Sequence, residues 1–221
     1  MKIMTMSIDL EMGVAEEDLE GLVKLWRQSN PNIVTWWWAV DLAAKEAIRL
    51  RIPQKVGKIR FEYHSGLHAL LIRLPSGRSL TYIRPEIGEN RFGGESITYM
   101  GTDAQKHYTR IETYGPKLVE NIVQAVSRDI LAEAMRNLRE AGSGCRNADP
   151  ARNQNETNTA TLTQNPKEFR IVGHVHDEVI VECPEDTATE TITREMEKSP
   201  AWLPGIGLRC DGYRCRYYMK Q

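Results

Sequence analysis

Apolar residues recur three and four positions apart between Glu16 and Gln28, at Leu19, Leu22, Val23 and Trp26, which predicts an amphipathic helix. Asn30-Pro31 then starts a second helix, with Asn as its cap and Pro at its first position. Ile33, Trp36, Trp37, Val40, Ala44, Ala47 and Ile48 carry that helix to about Leu50, and the Trp36-Trp37-Trp38 run reads as helix–helix packing. After Pro53 the pattern turns extended. Lys58 to Tyr63, Leu67 to Leu74 and Ser79 to Ile83 read as strands, with Pro75-Ser76-Gly77 as the turn between the last two. His64 and His68 fall in this extended stretch and read as ordinary hairpin residues, while residues 84–111 read as mixed and loop-rich.

A long helix follows, roughly Tyr114 to Glu140, with Leu118, Val119, Ile122, Val123, Val126, Ile130, Leu131 and Ala134 covering a wide apolar face. Lys117, Asn121, Gln124 and Arg128 lie four, three and four apart and so form one polar stripe. Such a stripe is usually a solvated face. It also suits donors laid along a duplex minor groove, where base acceptors are nearly independent of sequence. From Gly142 to Lys167 the chain is Asn, Thr, Gln, Ala and Gly with few large apolar residues, too little to offset its ordering entropy, so a disordered insertion is expected. Glu185 to Lys198 reads as a moderately amphipathic helix, Trp202 to Gly207 as an irregular turn, and Leu208 to Met219 as a terminal strand-like run.

The densest chemistry lies between the insertion and that last helix. Val172-Gly173-His174-Val175-His176-Asp177-Glu178-Val179-Ile180-Val181-Glu182 places an acidic pair between two β-branched runs. Val and Ile favour extended backbone and Asp tolerates a tight turn, so a hairpin with His176, Asp177 and Glu178 at its tip is predicted. Two adjacent carboxylates persist where they face water or where a divalent cation neutralises them.

Length and composition add bounds. The 221 residues suffice for a good core, and Lys plus Arg at 29 nearly balance Asp plus Glu at 30, for a net charge of −1. No global basic footprint points to nucleic acid. The charge is uneven, however: Lys45 to Arg91 carries ten basic and four acidic residues, and Asp177 to Glu197 eight acidic and one basic. A basic middle suits a phosphate backbone and an acidic end suits metal ions. Cys145, Cys183, Cys210 and Cys215 show no CxxC spacing, no apolar run approaches a membrane span, and Met1 to Gly13 lacks the apolar core of a signal peptide, so a reduced, cytoplasmic setting without a membrane partner is expected.

The hairpin, the segment Thr113-Tyr114-Gly115-Pro116-Lys117 through Asp129, Leu74-Pro75-Ser76-Gly77-Arg78, Trp26-Arg27-Gln28-Ser29-Asn30-Pro31 and Trp202-Leu203-Pro204-Gly205 together resemble, in order, the carboxyl-terminal part of family A DNA polymerases of the phage and prophage kind. The resemblance implies an α+β partial palm, in which a small antiparallel sheet (the catalytic hairpin) packs on long helices, plus the end of the fingers. Residues 1–52 would be the helical segment following the fingers and residues 53–221 the palm portion, with the insertion at 142–167. It implies that Asp177 binds a catalytic metal with Glu178 as a weaker partner, that His176 helps place the primer terminus, and that Gln124, with Asn121 or Glu120, touches primer-template DNA; Lys117 and Arg128 join that DNA-facing set as members of the same polar stripe. Mg²⁺ (or Mn²⁺), two ions in a complete enzyme, primer-template DNA and dNTP are the implied cofactors and partners.

The wording also departs from the family. Aligning on Gln124 puts Glu120 at the family's usual Asn position, and Pro116 replaces a basic residue. The family's upstream metal-binding Asp and its nucleotide-gripping fingers helix have no counterpart here. One reading is therefore half of a split polymerase, inactive without a complementary fragment. A second is a truncated, non-catalytic DNA-binding remnant. A third treats His174, His176 and Asp177 as the metal site of a small hydrolase, since His174 and His176 would share a strand face.

Overall fold

The computed structural model describes residues 18–90, 93–142 and 169–217. The expected insertion at 142–167 lies, apart from Gly142, outside the described residues. The chain separates into two compact units, residues 1–123 and 124–221, and the division falls inside the longest helix.

In the first unit, helices α1 (Leu19–Ser29) and α2 (Pro31–Leu50) precede six strands: β1 (Gln54–Val56), β2 (Ile59–His64), β3 (Ala69–Arg73), β4 (Ser79–Glu89), β5 (Glu95–Thr102) and β6 (Tyr108–Thr113). The strands form one antiparallel meander in chain order. α2 lies against β1 to β4. Its Val40, Ala44, Ala47 and Ile48, spaced by four, three and one, are buried with Phe61, Leu70, Ile72 and Ile97 from the strands. Each large side chain of this set stabilises the unit by roughly 1.5–3 kcal/mol. The other face is polar where Arg73 pairs with Glu62 across β2 and β3, and Arg110 with Glu86.

Two expectations for this unit are corrected. Asn30 does not cap α2 with its side chain; its Nδ2 instead donates 2.8 Å back to the Trp26 carbonyl, so the carboxamide is spent on closing α1. The stretch 84–111 is not loop-rich: β4 continues to Glu89, and β5 and β6 follow. Pro85 has no N–H to give a ladder, and the register between β4 and β5 shifts between Ile83 and Glu86, so the strand steps over the proline as a bulge. Arg84 takes φ 46° at that point, and its N–H donates 2.7 Å to the His68 carbonyl. His64 and His68 are hairpin residues as expected: the His64 ring accepts from Leu67 N–H across a short 3₁₀ turn.

Helix α3 (Gly115–Gly142) runs through the division. Its first turns belong to the first unit, where Leu118, Val119 and Ile122 are buried. Gly115 is required there, because a Cβ would sit 2.3 Å from the Trp37 carbonyl oxygen. Its N–H donates 2.9 Å to Oδ1 of Asp41, a residue only 7% exposed. The same carboxylate pairs at 2.5 Å with Lys45, which also donates to the Glu95 carbonyl. Asp41 thus supplies from another helix the acceptor that a helix start usually takes from its own cap.

The second unit holds the rest of α3, the hairpin strands β7 (Arg170–Val175) and β8 (Glu178–Glu182), and α4 (Thr189–Met196). Leu131, Ala134 and Leu138 of α3 are buried, and Gly142 fits under Phe169, whose carbonyl oxygen a Cβ would meet at 2.3 Å. The hairpin is a small antiparallel sheet, as expected, and it is separate from the six-stranded meander. The strand-like run expected at 208–219 contains no strand over 208–217. Its backbone is taken by side chains: Cys210 N–H donates 3.0 Å to Glu197, and Gly212 lies against the Thr189 methyl. No helix among the described residues is long and apolar enough to cross a membrane.

Candidate functional site at the hairpin tip

β7 and β8 pair from Arg170↔Glu182 to Val175↔Glu178, which leaves His176 and Asp177 as a two-residue turn. The predicted residues therefore come together at the tip, where His176, Asp177 and Glu178 are all exposed. The strained member is His176, with φ 52°, while Asp177 keeps negative φ. Glycine is the usual occupant of such a position, and a side chain there costs on the order of 1 kcal/mol or more. Asp177 therefore does not absorb the turn strain, contrary to what a tight turn at Asp suggests.

Farther down, Ile171 pairs with Val181 and Gly173 with Ile180, so Val172 is an extra residue that bulges from β7 and is 54% exposed. A bulge raises the local twist and re-aims the strand beyond it. At the open end Arg170 and Glu182 form an ion pair at 2.7 Å, solvated on both sides and therefore weak. An open concavity of about 620 Å³ lies at this base, between Arg139, Phe169, Arg170 and Cys183, rather than at the tip.

His174 sits on β7 opposite Val179, whereas His176 has left the strand, so the two do not alternate along one face as the hydrolase reading requires. Among the described residues no three His, Cys, Asp or Glu side chains are gathered to hold a metal ion. Asp177 and Glu178 still offer oxygen donors of the hard kind Mg²⁺ takes. Consecutive and exposed, they leave room for the waters and phosphates that complete its octahedron. The donor set fits one ion's protein share.

The α3 stripe divides between the units. In the first, Lys117 is exposed and pairs with Glu120 at 2.9 Å, and Asn121 is half-buried, its Nδ2 donating 2.9 Å to the Tyr82 hydroxyl. In the second, Gln124 and Arg128 are exposed. Tyr82 stacks edge-on against Tyr99. Burial pushes its hydroxyl pKa up, against the opposing pull of the Asn121 hydrogen bond, and Tyr99 adds a smaller upward push. Tyr82 and Asp41 are the positioning residues that periodicity does not reveal; only the i,i+4 spacing of Asp41 and Lys45 hints at a pair. Cys183, Cys210 and Cys215 are unbridged, and burial together with Glu197 and Asp211 raises the Cys210 thiol pKa, which makes it a poor nucleophile.

No family model matches the chain. No solved structure matches it significantly. The chain is 36% identical over 214 residues to a DNA polymerase of Bacillus phage SP02, a match that covers 96% of this chain and 29% of that polymerase. Over nearly its whole length, then, the chain is related in sequence to under a third of a phage DNA polymerase.

Proposed function

We propose that this chain is the carboxyl-terminal portion of a family A DNA polymerase, contributing part of the palm and the end of the fingers. Residues 1–52 follow the fingers on this reading and residues 53–221 form the palm portion. The observation that carries it is the end-to-end similarity to the phage polymerase together with His176, Asp177 and Glu178 meeting at one exposed tip.

In this reading Asp177 and Glu178 hold Mg²⁺ or Mn²⁺, with Asp177 the principal ligand. Bound metal supplies charge neutralisation for the attacking 3′-oxygen and the leaving pyrophosphate of an in-line transfer. Asp177 brings its carboxylate to the site on a turn whose direction the strained His176 backbone sets. The His176 ring, exposed beside it, hydrogen-bonds the primer terminus. Gln124 and Arg128 donate to primer-template DNA, and Lys117 and Asn121 do so by giving up their bonds to Glu120 and Tyr82. A second metal would need a carboxylate from outside these residues, so on this reading the chain alone does not extend a primer and a complementary polymerase fragment restores activity.

A second reading, a DNA-binding or inert remnant, is favoured by Lys117 and Asn121 already being engaged within the protein. Primer extension separates the two. The chain is assayed alone, with the unmatched remainder of the phage polymerase, and with that remainder plus Asp177→Asn. Extension only in the second arm supports the proposal. Extension by the chain alone refutes the incomplete site, an active Asp177→Asn refutes the metal assignment, and silence in all three arms supports the remnant.

A further inference from the structure

β6 ends the meander: it pairs with β5 on one side, and among the described residues no strand pairs with its far side. An edge strand presents a row of backbone N–H and C=O groups to any strand that matches it. The two edges of this sheet are built differently. β1, at the other end, has three residues and begins just after Pro53, so it offers little to pair with. β6 has six residues, an unbroken register against β5, no proline and no lysine. Its Tyr108, Thr109, Arg110 and Glu112 are exposed, Tyr108 at 66%.

The sequence of β6 says what matches it. Tyr108-Thr109-Arg110-Ile111-Glu112-Thr113-Tyr114 reads nearly the same in both directions about Ile111, and the one pair that differs is a cation against an anion. A second copy running antiparallel and centred on Ile111 therefore sets Tyr108 opposite Tyr114, Thr109 opposite Thr113, and Arg110 opposite Glu112. The twofold axis makes each of these pairs twice. Directly opposed residues share a sheet face, where Thr–Thr and opposite-charge pairs stabilise and like charges destabilise. A slip of one residue separates the charges, and a slip of two sets Arg110 on Arg110 or Glu112 on Glu112. Arg110 already holds Glu86 at 2.8 Å, but the five N–H donors of a guanidinium can serve two carboxylates.

We propose that β6 is a self-recognition edge, through which two copies of this chain join their six-stranded sheets antiparallel about Ile111. One strand from each copy buries less than the roughly 800 Å² per partner of a standard interface, so the dimer is weak and forms at high protein concentration. The inference does not depend on the polymerase reading.

Sedimentation equilibrium of the full chain, carried to high micromolar concentration, should show monomer and dimer in exchange. Arg110→Glu sets acids against acids and Glu112→Arg bases against bases, and each should weaken dimerisation about tenfold or more. Mixed in equal amounts, the two variants have complementary charges at both positions and should form a heterodimer of about wild-type strength. Arg110→Glu also loses the bond to Glu86, so Glu112→Arg carries the test by itself if the other variant fails to fold. Added salt should weaken the wild-type dimer by screening attraction and strengthen the Glu112→Arg dimer by screening repulsion. A chain that stays monomeric throughout, variants that dimerise as the wild type does, a mixture no stronger than its separate variants, or the same salt response in wild type and Glu112→Arg would overturn the inference.

Discussion

The six-stranded sheet and the two-stranded hairpin are both antiparallel, but they are held together by different means. The sheet has Phe61, Leu70, Ile72 and Ile97 fully buried, with α2 against four of its strands. No residue of β7 or β8 is buried; their side chains are half-exposed or exposed, and an exposed ion pair closes their base. A lone hairpin is marginal in water. The candidate chemistry thus sits on the element least able to hold itself, while the well-packed six-stranded sheet carries none of the candidate metal ligands. Functional segments are commonly drawn from this low-stability end.

The largest expected effect tests that contrast directly. Phe61→Ala should cost about 3–5 kcal/mol in chemical denaturation, because the residue is fully enclosed. Ile180→Ala on the hairpin should cost under about 1 kcal/mol, since that side chain is only half-buried. Equal losses would erase the distinction. Next is Asp41→Ala, which strands the buried Gly115 N–H and takes the carboxylate from Lys45, whose ammonium keeps the Glu95 carbonyl. A loss of about 2–4 kcal/mol is expected, and one below about 0.5 kcal/mol would show that water replaces the carboxylate freely.

Much of this architecture was legible in the sequence, for identifiable reasons. α2 and α3 declare themselves because Val40, Ala44, Ala47 and Leu118, Ile122 follow the helical period and are the residues buried. The hairpin was legible because two β-branched runs flank a polar tip. β5 and β6 were not, because Thr98, Arg110 and Glu112 belong to a partly solvated sheet and look like loop, and because Pro85 resembles a strand end when it marks a bulge. The turn strain at His176 and the cap from Asp41 depend on tertiary geometry, which periodicity does not encode. α1 is the reverse case: its periodicity is strong and its apolar face is nevertheless exposed.

The remaining two predictions sharpen the comparison from the hairpin and from the sheet. His176→Gly relieves the positive φ and should slow hydrogen exchange of the β7 and β8 amides by about threefold to tenfold, equivalent to roughly 1 kcal/mol of hairpin stability. Unchanged exchange would mean that the tip is not strained. The smallest effect concerns alkaline pH. Tyr82 in the folded protein has a pKa above its ordinary 10.0, so the protonated hydroxyl contributes stability that is intact below pH 10 and is lost as pH rises through the higher folded value. Melting curves should therefore fall above pH 10, and Tyr82→Phe should flatten part of that fall. An unchanged alkaline slope in the variant would assign the loss elsewhere.

The bond between Asp41 and the Gly115 N–H spans 74 positions, and all six strands of the meander lie between its ends. It therefore closes a loop that contains a complete sheet. Loop-closure entropy grows only with the logarithm of length, so the span itself adds little cost, but the ends meet only when every intervening hairpin has turned in register. A slip in any of them would displace Gly115 from a niche whose wall, the Trp37 carbonyl, leaves no room for a methyl group. The first turn of the long helix acts in this way as a proofreading latch on the sheet, admitted only when the fold behind it has been assembled correctly.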